Sequence, residues 1–132
     1  MLKNIPKIIS PELLKVLCEM GHGDEIVIAD GNFPAAAYAK KLIRADGIGA
    51  AEMFDSILQL IPLDQYDNNN FVLMEKCAGD NADTSLWEEY KVILKKHEPM
   101  QLCLLKSVLI IMKEPKRHMP LLQQVKKSSM QI

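Results

Sequence analysis

Residues 20–31 read Met20-Gly21-His22-Gly23-Asp24-Glu25-Ile26-Val27-Ile28-Ala29-Asp30-Gly31. The apolar run at 26–29 is short, continuous and bounded by charge and glycine, a pattern that suits a strand buried on both faces, as in a parallel sheet. Just upstream, Ser10-Pro11-Glu12 opens a helix: serine can cap, proline fits the first helical position, and an acid favours the positive N-terminal end. Leu13, Leu14, Leu17 and Met20 follow at helical spacing, and Gly21 supplies a stop.

The alternation continues downstream. Residues 34–41 suit a short helix, Leu42-Ile43 a short strand ending at Arg44-Ala45-Asp46-Gly47, and 49–60 a helix with Met53, Ile57 and Leu60 on one face, ended by Pro62. The polar turn Asp67-Asn68-Asn69-Asn70 leads into a strand, Phe71-Val72-Leu73-Met74. Ser85 and Glu88 have capping-box spacing at the head of an amphipathic helix over 86–96, and 104–112 suits a further strand. Strands alternating with helices predict a layered α/β fold with a mainly parallel sheet.

The whole chain is 132 residues, the size of one domain. Aromatics are only 5%, so the core is expected to be aliphatic and methionine-filled. The formal net charge of −1 gives no electrostatic case for nucleic acid or an anionic membrane. No apolar run approaches the roughly 20 residues of a membrane span, and Pro6 and Lys7 break the N-terminus too early for a signal peptide. Cys18, Cys77 and Cys103 are odd in number and widely spaced, which points to neither a disulfide framework nor a zinc site and to a reducing, cytoplasmic setting.

The even charge hides a seam. Residues 1–105 carry ten basic and sixteen acidic side chains, whereas 106–132 carry six basic and one acidic, and no glycine follows Gly79. A basic tail usually reads as a solvated extension or an interaction arm.

Among candidate chemical groups, His22 stands out. Flanking glycines let the backbone take conformations closed to bulky residues and leave the ring uncrowded. Imidazole titrates near neutrality and can both give and take a proton; the plainer reading is a histidine in a surface turn. Asp30 ends the buried strand, where ligands gather in open α/β sheets, and could accept from sugar hydroxyls, orient a histidine, or simply shape the turn before Gly31. Asp64 after Pro62 is equally ambiguous, and Asp46 before Gly47 looks like turn chemistry. His97 and His118 lie among lysines and are expected to be solvated. Gly47-Ile48-Gly49 lacks the later glycine and the context of a phosphate loop.

Several segments together resemble the ribose pyranase/fucose mutarotase family. They are Ile9-Ser10-Pro11-Glu12-Leu13-Leu14, Met20-Gly21-His22-Gly23-Asp24-Glu25-Ile26, Ala29-Asp30, Asn32-Phe33-Pro34-Ala35, Ile43-Arg44-Ala45-Asp46-Gly47, Leu63-Asp64-Gln65-Tyr66, and Trp87 with Tyr90. Order and spacing are similar to the fucose branch, in particular its animal members. The resemblance implies a three-layer α/β fold with helices on both faces of the sheet. It also implies interconversion of the anomers of L-fucose, and possibly of ribose forms, with no cofactor and no metal. His22 would be the proton donor, Asp30 and Asp64 would hold sugar hydroxyls, and Met74 would line the pocket. Members form homo-oligomers, from dimers to decameric rings.

The resemblance covers a mutarotase-like domain over residues 1–105 and then stops. The family continues with a segment like YERAKKA-F/Y-AVVATGE and a closing Tyr-x-Asn, whose tyrosines and asparagine contact the sugar, whereas this chain reads KSVLIIMKEPKRHMPLLQQVKKSSMQI. Methionine has one codon, ATG. Ile110-Ile111-Met112 can be written ATT-ATT-ATG, which in a shifted frame reads TAT-TAT-GA, or Tyr-Tyr-Glu. Permitted codons from Lys106 onward yield EKCFDYYERAKKAYAVVATGEKELYAN in that frame, with Met112, Met119 and Met130 each supplying part of a tyrosine codon. The expectation is that residues 106–132 are translated out of frame, through a splice variant or a sequence error, and that the chain as it stands is impaired. The alternative is a non-catalytic, sugar-binding or regulatory isoform that assembles with full-length subunits.

Overall fold

The computed structural model describes residues 2–66, 70–74, 85–99, 104–106 and 120–123. The turn residues 67–69, Cys77, Cys103, His118 and the continuation of the last predicted strand over 107–112 lie outside the described residues. Four helices and five strands alternate along the described chain, and every described ladder is parallel, as the apolar runs predict.

Helix α1 (Pro11–Glu19) begins as its sequence requires. The Ser10 hydroxyl accepts from the Leu13 amide at 3.1 Å, and Pro11 needs no partner for a missing N–H. Leu13, Val16 and Leu17 are buried. The helix ends at Met20 through an extended backbone, not through a left-handed glycine: Gly21 has an ordinary φ, and the left-handed residue is Gly23, at φ +80°.

Strand β1 (Val27–Ala29) follows, then α2 (Ala35–Tyr38), β2 (Lys41–Arg44), α3 (Ala50–Leu58) and β3 (Val72–Met74). Helix α2 has only four of the eight expected residues, because its alanines bring little apolar surface and only Ala35 is buried. Helix α3 stops four residues short of Pro62. The Leu60 and Ile61 amides both bond the Ile57 carbonyl, which tightens the last turn and releases the chain before proline could clash with it. Helix α4 (Ser85–His97) precedes two short strands, β4 (Leu104–Lys106) and β5 (Pro120–Gln123).

Strands β1, β5 and β2 form one sheet in that order, and β3 and β4 form a second. The tail therefore contributes a central strand, an outcome its basic, aperiodic sequence does not announce. Pro120 lies first in β5, where the lost donor does least harm to the ladder. Edges that a missing tail would have left open on β1 and β2 are paired.

Two apolar clusters hold the elements. Leu13, Val16 and Leu17 of α1 pack with Ile43 of β2 and with Met53 and Ile57 of α3. Phe54 and Leu58, on the other side of α3, pack with Leu94 of α4, with Ile28 and Phe71 against them. Each fully buried aliphatic side chain contributes about 1.5–3 kcal/mol. Helix α3 is thus the shared wall between the cluster under α1 and the cluster under α4. Methionine filling holds only in part: Met53 is buried, but Met74 is 45% exposed.

Candidate active site

The segment from Gly21 to Asp24 is a tight turn between α1 and β1. The Asp24 carboxylate accepts from the Gly21 amide at 2.8 Å, and the Asp24 amide donates back to the Gly21 carbonyl at 3.1 Å. With Gly23 left-handed, the turn lifts His22 clear of the body, its side chain 80% exposed.

Across forty-two residues of chain, Asp64 meets it: His22 Nδ1 lies 3.3 Å from Asp64 Oδ2. Asp64 Oδ1 accepts from the Tyr66 amide at 2.9 Å. The Asp64 carboxyl is held below the ordinary carboxylate value by that amide first, then by His22 as hydrogen-bond donor and charge, and by the Gly23 amide. An ionised carboxylate only accepts, so the shared proton sits on Nδ1 and the neutral ring keeps its lone pair on Nε2. Tyr66 stands edge-on to the imidazole, with centroids 5.4 Å apart and planes at 83°. The residue is 89% exposed.

Asp30 lies at the carboxyl end of β1, as expected. Its Oδ1 accepts from the amides of Asn32 at 2.9 Å and Phe33 at 3.1 Å, so the residue shapes the turn as well as standing at the strand mouth. The Tyr90 phenol of α4 is pushed up, chiefly by burial and then by the negative charges of Glu89 and Asp30. Met74 ends β3 with its side chain exposed. Asp46 does behave as a turn residue: it pairs with Arg44 at 3.0 Å, next to Gly47 at φ +81°.

The geometry thus joins His22 directly to Asp64, with Tyr66 beside them, and sets Asp30 and Met74 each at the carboxyl end of a strand. Two features escaped the sequence. Tyr66 appears there only as part of a matching segment, although its place two residues after Asp64 lets its amide fold back on the carboxylate. His97 is not solvated: its Nε2 lies 2.7 Å from Asp55 Oδ1, and its side chain is only 15% exposed. Among the described residues, no group of three or more acidic, histidine or cysteine side chains could hold a metal ion.

The sequence pattern of the RbsD / FucU transport protein family matches residues 3–127. The chain belongs to this family. Among curated relatives, the L-fucose mutarotase of Actinobacillus pleuropneumoniae serotype 5b is 50% identical over 96 residues, covering 73% of this chain and 67% of the relative. The human fucose mutarotase is 44% identical over 101 residues, covering 72% and 66%. The matched stretch thus spans about two-thirds of the curated relatives' length.

The RbsD / FucU fold is equally plain in three dimensions. The crystal structure of the fucose mutarotase from Streptococcus pneumoniae in complex with L-fucose superposes with a TM-score of 0.86 at 40% identity, covering 97% of this chain and 91% of that one. FucU from Bifidobacterium longum gives 0.87 at 40% identity, covering 96% and 92%.

Proposed function

We propose that this chain has the site of a sugar mutarotase that interconverts the α and β anomers of L-fucose, with His22 as the proton-transferring group. The observation that carries the reading is the 3.3 Å contact between His22 Nδ1 and Asp64 Oδ2. It supports a ring whose Nδ1 faces the carboxylate and whose Nε2, on the exposed side chain, is the nitrogen offered to substrate. Relatives named as fucose mutarotases and a family structure holding L-fucose support the choice of sugar.

Anomer exchange needs only proton movement. In its protonated form His22 delivers a proton from Nε2 to the sugar ring oxygen, and the anomeric hydroxyl passes its own proton to water. The ring left behind is the neutral Nδ1–H form, whose Nε2 lone pair takes the proton back on reclosure. The bond between the anomeric carbon and the ring oxygen breaks, leaving an open-chain aldehyde. Rotation about the adjacent carbon–carbon bond presents the other carbonyl face, and the steps reverse. A positioned acid or base contributes about 10²–10⁴ in rate, so the chemistry calls for no cofactor. Asp30 and Met74 hold and line the sugar. Asp64 acts first on the imidazole, and its carboxylate is already engaged by the Tyr66 amide. We place the reaction in the cytoplasm and the active form in a homo-oligomer, as the family resemblance implies.

The tail bears on turnover. Residues 106–132 lack the tyrosines and asparagine expected to assist the second proton, which supports an impaired chain and an out-of-frame origin. The same observation supports a second reading, a non-catalytic isoform that assembles with full-length subunits. Saturation-transfer NMR on L-fucose reports anomer exchange directly. We expect weak exchange by the 132-residue chain and strong exchange once residues 106–132 are rewritten in the shifted frame. No exchange by either protein would remove the mutarotase reading. Strong exchange by the unaltered chain would remove the impairment.

A further inference from the structure

We infer that Glu98 is a positioning residue for His22: it holds, through the backbone of Leu63 and Asp64, the carboxylate that selects the imidazole tautomer. This rests on the proposed role of the His22–Asp64 pair. Asp64 itself sits in a stretch without regular structure, between α3 and β3. The Tyr66 amide holds its carboxylate at 2.9 Å, but its backbone still needs an anchor. Two side chains supply it. Glu98 Oε1 accepts from the Leu63 amide at 3.3 Å, across thirty-five residues of chain, and Asn70 Nδ2 donates to the Asp64 carbonyl at 2.8 Å. The Leu63 amide and the Asp64 carbonyl are therefore both tied, and the carboxylate between them is held in turn by the Tyr66 and Gly23 amides and by His22.

Glu98 is well placed to act as an anchor. Its amide closes the end of α4 on the Leu94 carbonyl at 2.7 Å. Helix α4 is fixed to α3 by buried Leu94 and by His97 and Lys96, which reach Asp55 at 2.7 and 2.9 Å. Pro62, just ahead, carries no N–H, so the Leu63 amide is the first donor the released chain can offer after Ile61. The line of contacts thus runs from the packed helix pair through Glu98 to the carboxylate and the ring.

The ¹⁵N shifts of His22 distinguish an Nδ1-protonated ring from an Nε2-protonated one and need no turnover. In the full chain, His22 is expected as the Nδ1–H tautomer. Glu98→Ala should lower the ratio of Nδ1–H to Nε2–H by about fivefold, the value of one net hydrogen bond. Glu98→Gln keeps an acceptor oxygen and should retain the original ratio. An unchanged ratio in Glu98→Ala overturns the inference, and so does loss in both variants. Should Glu98→Ala fail to fold, the unaltered chain still decides. The Leu63 amide proton shift must titrate with the midpoint of the Glu98 carboxyl carbon, and one that follows only Asp64 overturns the inference. A tautomer shift in Glu98→Ala, in a chain whose frame-restored form shows no anomer exchange, would uphold the positioning role and remove the sugar reading.

Discussion

Two histidine–aspartate pairs occur among the described residues, and they are built for opposite ends. His22 meets Asp64 through Nδ1 at 3.3 Å, with the imidazole 80% exposed. His97 meets Asp55 through Nε2 at 2.7 Å, with the imidazole 15% exposed and Lys96 on the same carboxylate at 2.9 Å. The first stands on a glycine-flanked turn between α1 and β1, and the second joins two packed helices. Proximity to a carboxylate therefore does not mark a catalytic histidine. What separates the two is which nitrogen is left over and whether a substrate can reach it.

The largest effect expected from this contrast is on turnover. In the frame-restored protein, His22→Ala should cut anomer exchange by about 10²–10⁴, the worth of one positioned acid or base. His97→Ala, which leaves Leu94 and Lys96 to hold α4, should lower exchange per folded molecule by no more than about fivefold, one net hydrogen bond. Saturation transfer on L-fucose measures both, and equal losses would mean that the two pairs are not functionally distinct.

Stability should show the reverse order. Asp55→Ala removes a charge-assisted contact to a half-buried ring and should cost about 1.5–3 kcal/mol in denaturant unfolding, whereas His22→Ala should stay within about 0.5 kcal/mol. The pH dependence follows from Asp55, whose carboxyl is held below its ordinary value of 3.8 by His97 first and then by Lys96. The fold favours its charged form, so that stabilisation is complete above pH 3.8 and is lost as the pH falls through that value toward the lowered one. Asp55→Asn should flatten the acid limb of an unfolding-midpoint curve measured from pH 6 to pH 2. A limb as steep as before would assign the acid sensitivity elsewhere.

The contrast also shows where a sequence is readable. Ser10-Pro11 announced the start of α1 because capping is local, and residues 26–29 announced β1 because burial on two faces leaves an unbroken apolar run. His22 stood out through its glycine neighbours. Its partner did not, because no periodicity links positions forty-two residues apart; only the folded chain brings Asp64 to Nδ1. The lysine neighbours of His97 point it to solvent, and the fold turns it inward. On a helix, adjacent residues face different ways, so Lys95 lies in solvent while His97 turns inward to α3. Strand β5 is not legible in the sequence because four residues are too few to show a period, and its central place depends on partners from the first third of the chain.

The smallest expected effect isolates the turn that presents His22. Gly23 and Gly47 have nearly the same left-handed φ, +80° and +81°, and an added methyl at either meets nothing within 4 Å. Gly23→Ala and Gly47→Ala should therefore cost similar amounts, about 1–2 kcal/mol, from backbone strain alone. Gly21, equally open but with an ordinary φ, should accept alanine within about 0.5 kcal/mol. Function should divide the two strained sites. The Gly23 amide is one of the donors holding the Asp64 carboxylate, whereas Gly47 serves the Arg44–Asp46 turn. In the frame-restored protein, only Gly23→Ala should lower anomer exchange beyond what its loss of stability explains. Equal behaviour of the two variants would reduce the glycines around His22 to turn formers, with no part in aiming the ring.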